Sequence, residues 1–218
     1  MDLGLPDIFH AVKARENTAA LQLLPSLVKE LDSLPDPRAR WAAALQGVFA
    51  GNLFDLGSAT SSAMFASGQV CAWPKRPPLV VKMSHVWTRE NLHVDTLSAQ
   101  ASFHATRERL RLRPWVIDDL DAAVAALADP GRYNRHIVML VDNAGSDVVL
   151  GMLPLARMLL ASRRQCSVVL GANELPSIND VTAAELSEVL DRAALALGAD
   201  DVLAMVGAGW STLEEEKQ

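Results

Sequence analysis

The chain has 218 residues and half of them are hydrophobic, enough for one large domain with a sizeable core. A formal net charge of -6 and a pI near 5.3 argue against non-specific binding to nucleic acid or to an anionic membrane, while leaving room for a phosphorylated small substrate. The two distant cysteines, Cys71 and Cys166, suggest neither a disulfide framework nor a zinc site, no segment has the ~18 uninterrupted apolar residues of a membrane span, and the N-terminus lacks a signal-peptide core, so a soluble cytoplasmic protein is expected.

Residues 7 to 31 repeat apolar side chains at helical spacing, with Pro25 placed to divide or kink the run. A second helix follows "LPDP", where Asp36 suits the cap and Pro37 the first helical position, and it should end near Gly51. "GNLFDLGSATSSAMF" predicts a turn and a further helix. Residues 68–99 have no sustained period and no loop-like polar composition, which marks an atypical insert, read as an artefact of the gene model more than as a surface insertion. The helical pattern resumes in "SFHATRERLRLRPW" and again in "VIDDLDAAVAALAD", before a Pro130–Gly131 break.

After that break the pattern changes. "HIVMLV" predicts a strand covered on both faces, "SDVVLGMLPLARMLLASRR" a crossover helix, and "CSVVLGAN" a second buried strand, which together make a βαβ unit with parallel strands. "NDVTAAELSEVLDRAALALG" predicts a loop and a helix, with Thr182 or Asp180 as its cap and Glu185 at capping-box distance from Thr182. "DDVLAMVG" admits strand or helix, and "STLEEEKQ" is a polar tail. The fold class is therefore α/β: a helical part over residues 1–130 and a parallel-sheet part over residues 131–218.

The informative junction is "IVMLVDNAGSDVV". Ligands in open parallel sheets bind beyond the carboxyl ends of the strands, and Asp142 and Asn143 sit at such an end. Gly145 permits a sharp turn, and the helix that follows offers a positive dipole end to an anion. The second strand runs into "GANELPSIND", so neighbouring strands would bring Asp142, Asn143 and Asp180 together with Asn173 and Asn179 nearby. Two carboxylates and an amide oxygen are hard ligands suited to Mg2+ or Mn2+. Asp and Asn after a strand are also ordinary turn and cap residues, so spacing alone leaves both readings open.

Taken in order, "GNLFDLGS", "RLRPWVIDDL", "VDNAGSDVVLGMLPLARMLL" and "GANELPSINDVT" resemble the damage-control phosphatases, and most of all the domain fused to some eukaryotic pantothenate kinases. The likeness covers residues 7–67 and 100 to about 192. It implies a Rossmann-like α/β part, a divalent cofactor (Mn2+, Co2+, Ni2+ or Mg2+), and hydrolysis of a small phosphorylated metabolite such as 4′-phosphopantetheine or its oxidised forms, within coenzyme A metabolism. It also implies a homo-oligomer, or fusion or association with a pantothenate kinase, as the physical setting. By motif match, Asp142, Asn143 and Asp180 would hold the metal, with Asp142 and Asp147 serving the chemistry. Asn52, Asp55, Gly145, Ser146 and Asn173 would face the substrate. Metal-polarised phosphoryl oxygens, an in-line water and the helix start near Ser146 would complete the mechanism.

This sequence departs from the family pattern at residues 68–99 and at its end, where "GAGWSTLEEEKQ" stands and no glycine-rich "GMGR"-like phosphate-binding motif appears. The α/β part therefore reads as incomplete at its C-terminal side, and the expectation for the chain alone is weak activity or none. A non-catalytic metal-binding remnant or regulatory module, and a sugar-phosphate phosphatase, are the rival readings.

Overall fold

A computed structural model describes residues 7–53, 103–108, 110, 113–129, 136–162, 167–175 and 178–201. The expected helix after Leu53, the 68–99 segment, both cysteines, "DDVLAMVG" beyond its two aspartates, and the acidic tail lie outside the described residues.

Helix α1 spans His10–Ser33 and continues unbroken past Pro25. An interior proline costs about 3 kcal/mol. Burial of Leu21, Leu23, Leu24, Leu27, Val28 and Leu31 on the same helix outweighs that, at roughly 1.5–3 kcal/mol for each fully buried side chain. Helix α2 spans Pro37–Leu53. Asp36 caps it as the sequence suggests, its Oδ1 accepting the Arg38 N–H at 3.0 Å and its Oδ2 the Ala39 N–H at 3.3 Å. Residues 103–108 are helical, but residues 113–119 are not. This corrects the expectation of helix through Trp115: Pro114 has no N–H to continue the ladder. Arg113 instead ties this stretch together by pairing with Asp118 and Asp121, and Trp115 stacks edge-on against Phe49 of α2 with ring centroids 5.7 Å apart. Helix α3 then spans Leu120–Ala128.

Strand β1 is His136–Leu140 and strand β2 is Ser167–Gly171. They pair in parallel, with Val138 opposite Val169 and Leu140 opposite Gly171. Between them a π-helical segment, Asp147–Met152, continues directly into helix α4, Leu153–Ser162. Helix α5, Ala183–Leu197, follows β2 and opens on the predicted capping box: the Thr182 hydroxyl accepts the Glu185 N–H, and the Glu185 carboxylate accepts the Thr182 N–H at 2.9 Å.

The π segment is the centre of the packing. Val148, Val149, Leu150 and Leu153 join one core with the inner faces of α1 and α5. Trp41 and Ala44 of α2, Val124 of α3, Met139 and Val168 of the strands and Leu159 of α4 make a second core. Glycines let α2 lie directly on the π segment: a Cβ on Gly151 would come within 3.0 Å of the Val48 Cα, and one on Gly51 within 2.7 Å of the Ser146 carbonyl oxygen.

This is a mixed helical arrangement around a small parallel sheet, consistent with the α/β class. Among the described residues, however, the strands are covered on one face only. Ile137, Met139, Val168 and Leu170 turn toward the second core, while Val138 and Leu140 on the opposite face are 67% and 79% exposed. An apolar run reports what a strand would bury, not whether a layer lies over each face. Among the described residues no helix is long and apolar enough to cross a membrane.

Candidate functional site

The carboxyl ends of β1 and β2 are joined by more than the strand pairing. Asn143 forms an isolated bridge with Asp180, and Asn173 forms one with Thr182. The Val181 N–H donates to the Asp142 carbonyl at 2.8 Å, the Ala144 N–H to the Asn179 carbonyl at 2.9 Å, and the Ala183 N–H to the Asn173 carbonyl at 2.9 Å. The loop after each strand is thus stitched to the other, and Asp142, Asn143, Asn173 and Asp180 come together as the sequence pattern requires.

Their side chains form a connected set. Asn173 Nδ2 donates to Asp180 Oδ2 at 2.6 Å. Asn143 Nδ2 donates to Asp147 Oδ2 at 3.1 Å, which leaves the Asn143 carbonyl oxygen as the atom a cation could use. Asn52, reaching over from α2, donates to the same Asp147 oxygen at 3.2 Å. Burial pushes the Asp142 carboxyl above its ordinary value, and the hydrogen bond and charge of Asp180 push it the same way, together with the Asp147 charge. Two carboxyls in contact need a proton or a cation between them. The donor set of Asp142, Asn143 and Asp180 fits a hard divalent ion, which would take the place of that shared proton.

The other expected site residues fall differently. Asp147 is 6% exposed, buried at the start of the π segment with two amide donors on one oxygen. Gly145 and Ser146 are buried, and their polar groups are used inside the fold. The Gly145 N–H donates to Asn17 Oδ1 at 2.7 Å, and the Ser146 hydroxyl donates to the Gly51 carbonyl at 3.0 Å. In this conformation neither group is offered to a ligand. Gly145 is needed for the turn itself, having φ +78 in the left-handed region and no room for a Cβ, which would meet the Glu16 Cβ at 2.9 Å. Ile178, just before the Asn179–Asp180 pair, also has positive φ, at 50, a conformation rare for a β-branched residue. Asp55 lies outside the described residues.

Residues of α1 that the sequence pattern did not single out also reach this region. Lys13 is completely buried and donates all three ammonium hydrogens: to Asp7 Oδ2 at 2.7 Å, to Glu185 Oε2 at 2.7 Å and to the Asp180 carbonyl at 3.0 Å. Burial alone would depress the Lys13 ammonium, but the hydrogen bonds and charges of Asp7 and Glu185 outweigh it and hold the group above its ordinary value. Asp7, His10 and Glu185 bring ligand-type atoms within 4.8 Å of one another. Lys13 already bonds both carboxylates, so a divalent ion there would face a fixed positive charge. That cluster is an ion-pair hub, distinct from the donor set at the strand ends. A signal for these α1 residues existed: Lys13, Glu16 and Asn17 continue the buried stripe of Ala20, Leu21 and Leu24 at helical spacing, so polar residues occupy positions the period assigns to the interior.

The family model of the damage-control phosphatase ARMT1-like domain matches residues 3–95 and 95–217. The chain is 39% identical over 191 residues to a damage-control phosphatase of Arabidopsis thaliana, covering 88% of this chain and 42% of that protein. It is 36% identical over 192 residues to pantothenate kinase 2 of the same plant, covering 86% of this chain and 18% of the kinase. It is 29% identical over 193 residues to the 4′-phosphopantetheine phosphatase of Mus musculus, covering 88% of this chain and 19% of that protein. The chain thus spans less than half the length of each of these curated relatives. With both matched segments together running through nearly the whole sequence, the chain belongs to the ARMT1-like family of damage-control phosphatases.

Proposed function

We propose that this chain is a metal-dependent phosphatase of small phosphorylated metabolites, with 4′-phosphopantetheine or an oxidised form of it as substrate. The family is one of metal-dependent phosphatases. The observation that carries the reading is the meeting of Asp142, Asn143 and Asp180 at the carboxyl ends of two parallel strands, through the bridge between Asn143 and Asp180. The likeness to the mouse 4′-phosphopantetheine phosphatase supports the substrate class.

When bound, a divalent ion such as Mn2+, Co2+, Ni2+ or Mg2+ supplies charge neutralisation of the phosphoryl oxygens and lowers the pKa of an attacking water. The residues of the chain prepare for that chemistry. Asp142 and Asp180 concentrate negative charge at one point, and Asn173 fixes the Asp180 carboxylate from the side. Asp147 holds the Asn143 amide in the orientation that turns its carbonyl oxygen away from Asp147, and Asn52 holds Asp147 in turn. Asn52 and Asp147 therefore tie the helical part to the strand ends beside the metal-ligand set.

The test is turnover of p-nitrophenyl phosphate and of 4′-phosphopantetheine with Mn2+, Co2+ or Ni2+, comparing the wild type with Asp142→Ala. The expected result is metal-dependent turnover that falls on the order of 100-fold or more in the variant, since even the outer partners of metal ligands are typically worth 10–100-fold. Equal turnover by both proteins would sink the reading. Mn2+ binding that depends on Asp142 but comes without turnover of either phosphate would point to a non-catalytic metal-binding module.

A further inference from the structure

We propose that Lys13 and Asn17 act as a two-point clamp, positioning residues that set the distance between the two metal-binding loops without touching the metal. The proposal rests on the metal site inferred above. The two residues are one turn apart on α1 and both are buried, so they face the same way with a spacing fixed by the helix. Asn17 Oδ1 accepts the Gly145 N–H at 2.7 Å, which fixes the loop after β1. Lys13 Nζ donates to the Asp180 carbonyl at 3.0 Å, which fixes the loop leading from β2 to α5. The loops are joined to each other by the Ala144 N–H on the Asn179 carbonyl and the Val181 N–H on the Asp142 carbonyl. Helix, first loop and second loop thus close a ring, and Asp142, Asn143 and Asp180 ride on it.

Three features favour positioning over simple packing. Both contacts go to main-chain groups, so neither Lys13 nor Asn17 takes up the Asp142 or Asp180 carboxylate or the Asn143 carbonyl oxygen. The lysine and the asparagine stand in a stripe that continues with Ala20, Leu21 and Leu24, where an apolar residue would suit the core as well or better. And α1 leaves the first loop no slack, because a Cβ at Gly145 would strike Glu16. Lys13 is itself held in place by Asp7 and by Glu185, and Glu185 belongs to the capping box of α5. The beginning of α1, the beginning of α5 and the site are therefore a single connected unit.

The experiment compares wild type, Lys13→Met, Asn17→Leu, Asp142→Ala and Arg157→Met, each in the full chain. Arg157 of α4 pairs with Asp32 of α1 and with Asp201 after α5, residues that lie in neither loop, and controls for the loss of a partly buried ion pair. Three quantities are measured: thermal midpoint, Mn2+ affinity by calorimetry, and hydrogen exchange of the Ala144, Gly145 and Val181 amides. Lys13→Met and Asn17→Leu should each weaken Mn2+ binding about 10-fold or more. Each should also speed exchange at Ala144 and Val181, while Arg157→Met lowers the midpoint and changes neither. Unchanged Mn2+ affinity and unchanged exchange in both clamp variants would overturn the proposal. If Lys13→Met does not fold, Asn17→Leu, close to the native residue in size, decides by the same criteria. If Asp142→Ala binds Mn2+ as tightly as wild type, the metal reading fails, and the exchange data alone decide whether α1 holds the loops.

Discussion

The two sides of the small sheet are built on opposite terms. On one side Met139 and Val168 enter a closed core under α2, α3 and α4, and at the carboxyl ends the loops are fixed by main-chain bridges and by α1. On the other side Val138 and Leu140 stand largely exposed. Both strands have nearly uniform apolar sequences, so the difference lies in what the rest of the chain brings to each side. A strand sequence states a capacity for burial; partners elsewhere in the chain determine how much of that capacity is used.

Four substitutions or conditions would break or sharpen this contrast. The largest effect is expected from Leu153→Ala, which empties a fully buried site where the π segment joins α4. It should cost about 2–5 kcal/mol in denaturant unfolding, and a loss under about 1 kcal/mol would mean the core there is loose. Next is Gly51→Ala, whose new methyl would meet the Ser146 carbonyl oxygen at 2.7 Å and the Asp147 Cα at 3.1 Å. Overpacking of this kind costs about 1–3 kcal/mol, and because it displaces the residue that orients Asn143, metal affinity should drop along with the thermal midpoint.

A smaller effect is expected from acid. Burial pushes the Asp7 and Glu185 carboxyls up, but the Lys13 hydrogen bond, the backbone N–H groups of Phe9 and Thr182 and the Lys13 charge outweigh it, and both lie below their ordinary values. A depressed carboxylate contributes stability that is present above its unfolded pKa, about 4, and lost as pH falls through the folded value. The thermal midpoint should therefore hold to about pH 5 and then decline, and Glu185→Gln should flatten part of that decline. An identical acid profile in the variant would remove Glu185 from the account. The smallest effect is expected from Leu140→Ser on the open face, within about 0.5 kcal/mol by the same unfolding assay. A loss near 2 kcal/mol would show that this face is covered in solution.

Much of the fold could be read from the sequence because its signals are local. The Asp36 cap, the Thr182–Glu185 capping box and the strand–helix–strand order each lie within a short window of residues, and the structure contains all three. The meeting of Asp142, Asn143 and Asp180 was legible too, since parallel pairing of neighbouring strands places their carboxyl ends together. What was not legible depends on long sequence separations. The role of Lys13 arises from contacts to Asp180 and Glu185 more than 160 residues away, and the local stripe that marks Lys13 as buried does not name those partners. The buried state of Gly145 and Ser146 depends in the same way on α1 and α2 lying over the turn, whereas a local reading of the turn gives an open helix end. Pro25 shows the converse, a strong local signal for a break that burial on the same helix overrides.

The π segment has a consequence for how this protein can vary. From Ala144 to Gly151 eight consecutive residues are buried, so the stretch has no outward side. An ordinary amphipathic helix keeps roughly half its positions free to drift, because they face water. Here a polar replacement at any position would enter the interior, and a larger one would strike α1 or α2. Over evolutionary time the pillar should therefore stay nearly fixed, and change should collect at exposed positions around it, such as Asn52 at the end of α2.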